Sequence, residues 1–116
     1  WFDAVATNYA RMVNGIDELA ITNLDGLDTL KELKICVAYT CRGKKLHYPP
    51  SDATDLALCR PVYRTFKGWK QPTGAVRHFN KLPKAAQKYL TALADLTGAR
   101  LRIVSVGAQR AETFRV

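Results

Sequence analysis

Apolar residues recur at helical spacing in the opening stretch of the chain, where Val5, Tyr9, Met12 and Val13 fall on one face. Asp3 precedes this run and Asn14-Gly15 follows it, so the pattern predicts a helix capped by a carboxylate and stopped at a glycine. Glu18 to Thr22 is short, apolar and β-compatible, and it runs into the polar turn Asn23-Leu24-Asp25-Gly26, followed by a Leu27–Leu30 turn or short helix. Lys34 to Tyr39 reads as a strand, Arg42-Gly43 as a hairpin turn and Lys45 to Tyr48 as the return strand, ended by Pro49-Pro50. Ser51 is the expected cap of a short helix through Leu58, and Pro61 to Phe66 alternates like a half-buried strand. Gly68 to Lys81 has no clear period. Pro83 opens the strongest helical pattern, with Ala86, Tyr89, Leu90, Leu93 and Leu96 on one face and Gly98 just past its end. Leu101 to Ser105 follows as a strand and ends in the loop Val106-Gly107-Ala108.

Strands alternating with helices predict an α/β fold, with a peripheral antiparallel β-hairpin and a C-terminal helix–strand unit. The loops Asn23–Gly26 and Ser105–Ala108 both follow strands. They become neighbours if those strands lie parallel in one sheet, and that edge is where open α/β sheets bind ligands.

Composition narrows the picture. In 116 residues, 47% hydrophobic and 24% charged, there is enough apolar material for one domain with a core. No apolar run is long enough to span a bilayer and Trp1-Phe2-Asp3 is no signal pattern, so neither a membrane nor a secreted location is expected. The three cysteines, Cys36, Cys41 and Cys59, cannot all pair within the chain, which favours a reducing cytoplasm. A chain opening on Trp1 directly into helical pattern is expected to be cut from something longer. Eighteen Lys and Arg against ten Asp and Glu give a net charge of +8, suited to anionic partners of several kinds.

Several chemistries find no footing. The seven glycines are too widely separated for a P-loop or a dinucleotide fingerprint. Ser51, Ser105, His47 and His78 form no nucleophile motif. Cys36, Cys41, His47 and Cys59 have unconvincing spacing for zinc, and Cys36, between Ile35 and Val37, suits a small buried hydrophobe. The basic residues are scattered rather than gathered. Tyr63 to Lys70 is the best aromatic–basic stretch for nucleic acid, yet its aromatics also fit strand packing. Thr22-Asn23-Leu24-Asp25 is the most specific element, because a carboxylate held after a strand can accept the N1–H and exocyclic amino group of guanine, donors that adenine lacks. Backbone N–H groups around Ser105, Val106 and Gly107 would complement it at guanine O6, the glycine letting the base approach closely. The competing reading is an Asp25 that merely turns or caps the backbone.

Trp1–Val5, Ile21-Thr22-Asn23-Leu24-Asp25-Gly26-Leu27-Asp28, Lys34–Tyr39, Tyr63–Trp69, Leu82-Pro83 and Ser105–Arg110, in this order and spacing, resemble the C-terminal part of adenylosuccinate synthetase. The likeness runs over essentially the whole chain but only about the last quarter of that enzyme. It implies the C-terminal part of a larger sheet-centred ligase fold, residues 1–116 forming a single segment with the guanine-base part of the GTP site. The implied activity of the parent protein is GTP-dependent ligation of IMP and L-aspartate to adenylosuccinate, through a 6-phosphoryl-IMP intermediate with Mg²⁺, in AMP biosynthesis. The implied state is a cytoplasmic homodimer with no nucleic-acid or membrane partner. On this resemblance Asn23, Leu24 and Asp25, with Ser105, Val106 and Gly107, hold the guanine base. The catalytic aspartate and histidine, the phosphate loop and the Mg²⁺ site belong upstream, leaving no catalytic or metal residue in this segment. Two positions depart from the family: Asn23 where Lys is common, and Ala108 where Pro is common. The first implies weaker stacking on the base and the second a less rigid loop. The alternative to this reading is a free-standing basic nucleic-acid-binding or structural domain.

Overall fold

The computed structural model describes residues 1–116. A first sheet is built on β3 (Glu32–Cys41), which pairs parallel with β1 (Phe2–Asp3) and antiparallel with β4 (Lys44–Leu46) and β5 (Arg60–Lys67). The second sheet has β6 (Arg100–Ser105) at its centre, parallel to β2 (Glu18–Ile21) on one side and antiparallel to β7 (Thr113–Arg115) on the other. Three α-helices complete the frame, α1 (Ala4–Asn14), α2 (Ala53–Leu58) and α3 (Lys84–Thr97). The expected hairpin is β3–β4, turning through Arg42 and Gly43 with both φ angles positive, 52° and 79°, as a tight two-residue turn requires. The helix–strand unit is α3–β6.

Local chemistry sets the helix ends. The Asp3 carboxylate accepts the Ala6 N–H at 3.0 Å and starts α1, and Gly15 at φ 66° stops it. Pro83 precedes α3 and Gly98, at φ 72°, ends it. The cap of α2 is Asp52, not Ser51: its carboxylate reaches the Thr54 N–H at 2.8 Å.

The core joins both sheets. Leu33 and Ile35 from β3, Leu101 and Val104 from β6, Phe114 from β7 and Ala86, Tyr89, Leu90 and Leu93 from α3 belong to one buried cluster. The predicted face of α3 is therefore the buried one, with Thr97 buried beyond it and Leu96 only partly so. The predicted face of α1 is not. Only Ala4 and Val5 are buried, whereas Tyr9, Met12 and Val13 are 47%, 55% and 64% exposed. The first turn of α1 packs on β3, and Arg11 Nε ties the last turn to the Thr97 carbonyl of α3 at 2.7 Å. Nothing else in the chain covers the remaining apolar surface.

Candidate functional site: two loops at one sheet edge

Because β2 and β6 run parallel, their carboxyl ends leave the sheet side by side, with Ile21 beside Val104. The two loops singled out from sequence are therefore adjacent, and one hydrogen bond joins them: the Asn23 N–H donates to Ser105 Oγ at 3.1 Å. The same hydroxyl donates to the Gly107 carbonyl at 2.8 Å, folding the second loop over its own strand end. Ser105 is buried, so this hydroxyl acts as a dry pin between the loops.

Each of the six predicted residues has a distinct place. Leu24 and Val106 point into the core, at 1% and 0% exposure, so both can face a ligand only through backbone. Asn23 adopts the left-handed conformation, φ 55° and ψ 45°, which Asn tolerates better than most side chains. Asp25 is exposed in the short 3₁₀ turn Leu24–Leu27, and its carboxylate makes no hydrogen bond or ion pair within the chain. A capping role for Asp25 therefore has no partner here. The Val106 N–H is already donated to the Glu112 carbonyl at 2.8 Å. The N–H groups of Gly107 and Ala108 have no acceptor in the chain and are the open donors of this loop.

Two residues that sequence reading passed over hold the loops. Asp28 Oδ1 accepts the Trp69 indole N–H at 2.7 Å, and Oδ2 accepts the Thr73 N–H at 2.8 Å. The Thr73 hydroxyl adds a bond to Oδ1 at 2.8 Å. This carboxylate fastens the first loop to the irregular stretch after β5. Glu112 does the same for the second loop, accepting the Gln109 N–H at 3.1 Å while its carboxylate packs where a Gly107 side chain would stand. The Asp28 role is not visible in local sequence, because both its partners lie more than forty residues away, whereas Glu112 stands three residues after Gln109 at capping-box spacing, a local signal. A buried Trp after a strand, needing an acceptor for its indole, was the available hint.

The other candidates resolve differently. In Tyr63–Lys70 two of the three aromatics serve the core: Phe66 and Trp69 pack against Tyr89 at centroid distances of 6.1 and 5.9 Å, and the Arg64 guanidinium lies over Phe66 at 4.9 Å, whereas Tyr63 is exposed. Arg64, Lys67, Lys84 and Lys88 line an open groove of about 1180 Å³ between β5 and α3, to which neither loop contributes. Cys36 is buried, as a small apolar residue would be. With Asp3, Tyr39 and Cys59 it lines a cavity of about 270 Å³. Burial, with the Asp3 charge beside them, pushes the Cys36 thiol and the Tyr39 phenol above their ordinary values. No three His, Cys, Asp or Glu side chains gather to hold a metal ion. No helix is long and apolar enough to cross a membrane.

Comparison with known proteins gives one answer. The family model described as adenylosuccinate synthetase matches residues 1–114. Adenylosuccinate synthetases of Picosynechococcus sp. and Thermosynechococcus vestitus are 50% and 49% identical to the chain over all 116 residues. The chain spans 26% of the length of each of these curated relatives. Among solved structures, fully ligated adenylosuccinate synthetase from Plasmodium falciparum superposes with a TM-score of 0.94 at 28% identity, over 100% of this chain and 28% of that one.

Proposed function

The chain belongs to the adenylosuccinate synthetase family, and from that premise we propose that it supplies the guanine-recognition half of the GTP site in a GTP-dependent ligase. The complete protein joins IMP to L-aspartate to give adenylosuccinate, acting as a cytoplasmic homodimer. Residues 1–116 are one C-terminal segment of it and do not catalyse the reaction alone. Mg²⁺ is proposed for the complete protein. On the family relationship its ligands and the catalytic residues are assigned to the remainder of that protein.

The observation that carries the reading is the Asn23–Ser105 hydrogen bond, which brings a free carboxylate and free backbone donors to one sheet edge. Asp25 accepts the guanine N1–H and one exocyclic amino hydrogen, and the Gly107 N–H donates to O6. Leu24 and Val106, anchored in the core, keep both loops from drifting, so the donors and acceptors are set before the base arrives. Adenine presents an acceptor at N1 and a donor at C6, and both would be mismatched here. The positive charge of the chain suits GTP, IMP and aspartate, all of them anions.

Asp25→Asn in the full-length protein tests this. An amide still accepts N1–H but offers a donor where guanine also has a donor, so kcat/KM for GTP should fall about a hundredfold, the worth of a charged hydrogen-bond pair. XTP, with a carbonyl at that position, should gain relative to GTP. An unchanged GTP/XTP preference with an intact fold would sink the reading.

A further inference from the structure

Two thiols with no part in the proposed activity sit at the matched ends of paired strands. β3 and β5 pair antiparallel through Tyr39↔Pro61 and Thr40↔Arg60. One more step in that register sets Cys41, the last residue of β3, opposite Cys59, the residue before β5. Directly opposed residues in an antiparallel pair have Cα atoms about 4.5–5.5 Å apart, a span that a disulfide bridges. Opposed side chains also leave the sheet on the same face, and these two do. Both Sγ atoms donate to one acceptor, the Asp55 carbonyl, each at 3.3 Å. Two donors converging on one oxygen hold the sulfurs side by side. Cys36 lies outside this arrangement: it faces Tyr63 and donates to the Ala38 carbonyl at 3.4 Å.

We infer that Cys41 and Cys59 form a dithiol that low-molecular-weight disulfides oxidise to a cross-strand disulfide, and that this oxidation releases α2 from the sheet. Cys59 is partly exposed and Cys41 buried, so Cys59 is the thiol a disulfide reaches first, its attack slowed because burial and the neighbouring Cys41 push the thiol up to about 11. Its thiolate attacks one sulfur of glutathione disulfide, the S–S bond breaks, one glutathione thiolate leaves and a mixed disulfide remains. The Cys41 thiolate then attacks Cys59 Sγ and expels the second glutathione. Overall, two cysteine thiols give up two electrons and two protons, and one glutathione disulfide takes them as two glutathione thiols.

The consequence for α2 follows from how it is attached. None of its residues is buried. The Cys41 S–H holds its Asp55 carbonyl to β3, the Cys59 S–H reaches the same carbonyl from the helix's own C-terminal cap, and a disulfide has no S–H to donate. Oxidation removes both bonds and leaves the solvent-exposed Arg42–Asp55 ion pair at 2.9 Å, a weak restraint.

The test uses the reduced full-length protein incubated with millimolar glutathione disulfide, alkylated, digested without reduction and mapped by mass spectrometry. Amide exchange is read on the same samples. The expected result is a Cys41–Cys59 linked peptide, an alkylated Cys36, and Ala53–Leu58 amides exchanging about fivefold faster or more after oxidation. Three mapping results would overturn the proposal: a persistent glutathione adduct on Cys59, a linkage that includes Cys36, or thiols left fully alkylatable. A linked peptide with unchanged exchange in α2 would overturn the release. Cys41→Ser should stop at the Cys59–glutathione adduct, and if that variant does not fold the wild-type map decides alone.

Discussion

Asp25 and Asp28 share one loop and are used in opposite ways. Asp28 spends its carboxylate on Trp69 and Thr73, whereas Asp25 spends nothing inside the chain. A side chain with no internal work is the one available to a ligand, and the motif string alone does not say which aspartate that is. The glycines divide in a similar way. A Cβ on Gly68 would stand 1.9 Å from the Leu30 carbonyl oxygen, which is backbone and cannot swing away. A Cβ on Gly107 would stand 2.0 Å from Glu112 Oε2, the far end of a movable side chain. Gly68→Ala should therefore cost about 3 kcal/mol of stability, near the upper end of overpacking effects, and Gly107→Ala about 1 kcal/mol, for the lost Glu112–Gln109 bond. Urea denaturation of both variants checks the order, and equal losses would contradict it. Neither close approach is legible in sequence, since each glycine meets a partner from another part of the loop system.

At the scale of the element, β1 and α1 are held to β3 by one carboxylate with two duties. Asp3 Oδ1 caps α1, and Oδ2 accepts the Tyr39 hydroxyl from near the end of β3. Tyr39 is buried, and this burial, with the Asp3 hydrogen bond and charge, holds its phenol protonated well above the ordinary range. Burial raises Tyr89 as well. A raised folded-state value means the stabilisation is complete below the unfolded value of about 10 and is lost as pH climbs beyond it. Thermal scans between pH 8 and 11 should thus show stability falling above about pH 10. Tyr39→Phe should fall less steeply over that range, and an identical slope would remove Tyr39 from the account. The cap itself was readable, because Asp before an apolar helical run is a local signal. Its second duty was not, because β1 and β3 meet only in the folded sheet.

For the whole molecule, the central fact is that one core serves two sheets. α3 lies against both, with Leu90 fully buried in a cluster that reaches Leu33 and Ile35 on one side and Val104 and Phe114 on the other. Leu90→Ala should cost about 2–5 kcal/mol, and amide exchange in β3 and β6 should accelerate together. Faster exchange in one sheet alone would mean two separate cooperative units. The net charge of +8 belongs to this scale too. Arg64, Lys67, Lys84 and Lys88 surround a groove with Asp95 as their acidic neighbour, so sequence-scattered cations are partly gathered in space.

The sequence by itself determined the elements whose signals are local. The α3 stripe, its opening proline and closing glycine, the Arg42-Gly43 hairpin and the Asp3 cap all rest on residues within a few positions of one another, where spacing and backbone preference act directly. It also marked the two post-strand loops, because strand pattern followed by turn chemistry is likewise local. Tertiary structure alone decided what those local units would meet. The parallel pairing of β2 with β6 put Asn23 beside Ser105 across eighty-two positions. The packing of α1 left Tyr9, Met12 and Val13 exposed although their spacing matched a buried face. The β3–β5 register set Cys41 opposite Cys59. Amphipathic spacing states that a face is fit for burial, but burial needs a partner surface, and the partner comes from residues distant in the chain. Long-range pairing is fixed by the packing of the whole core, so the site at the sheet edge exists only once that core has formed.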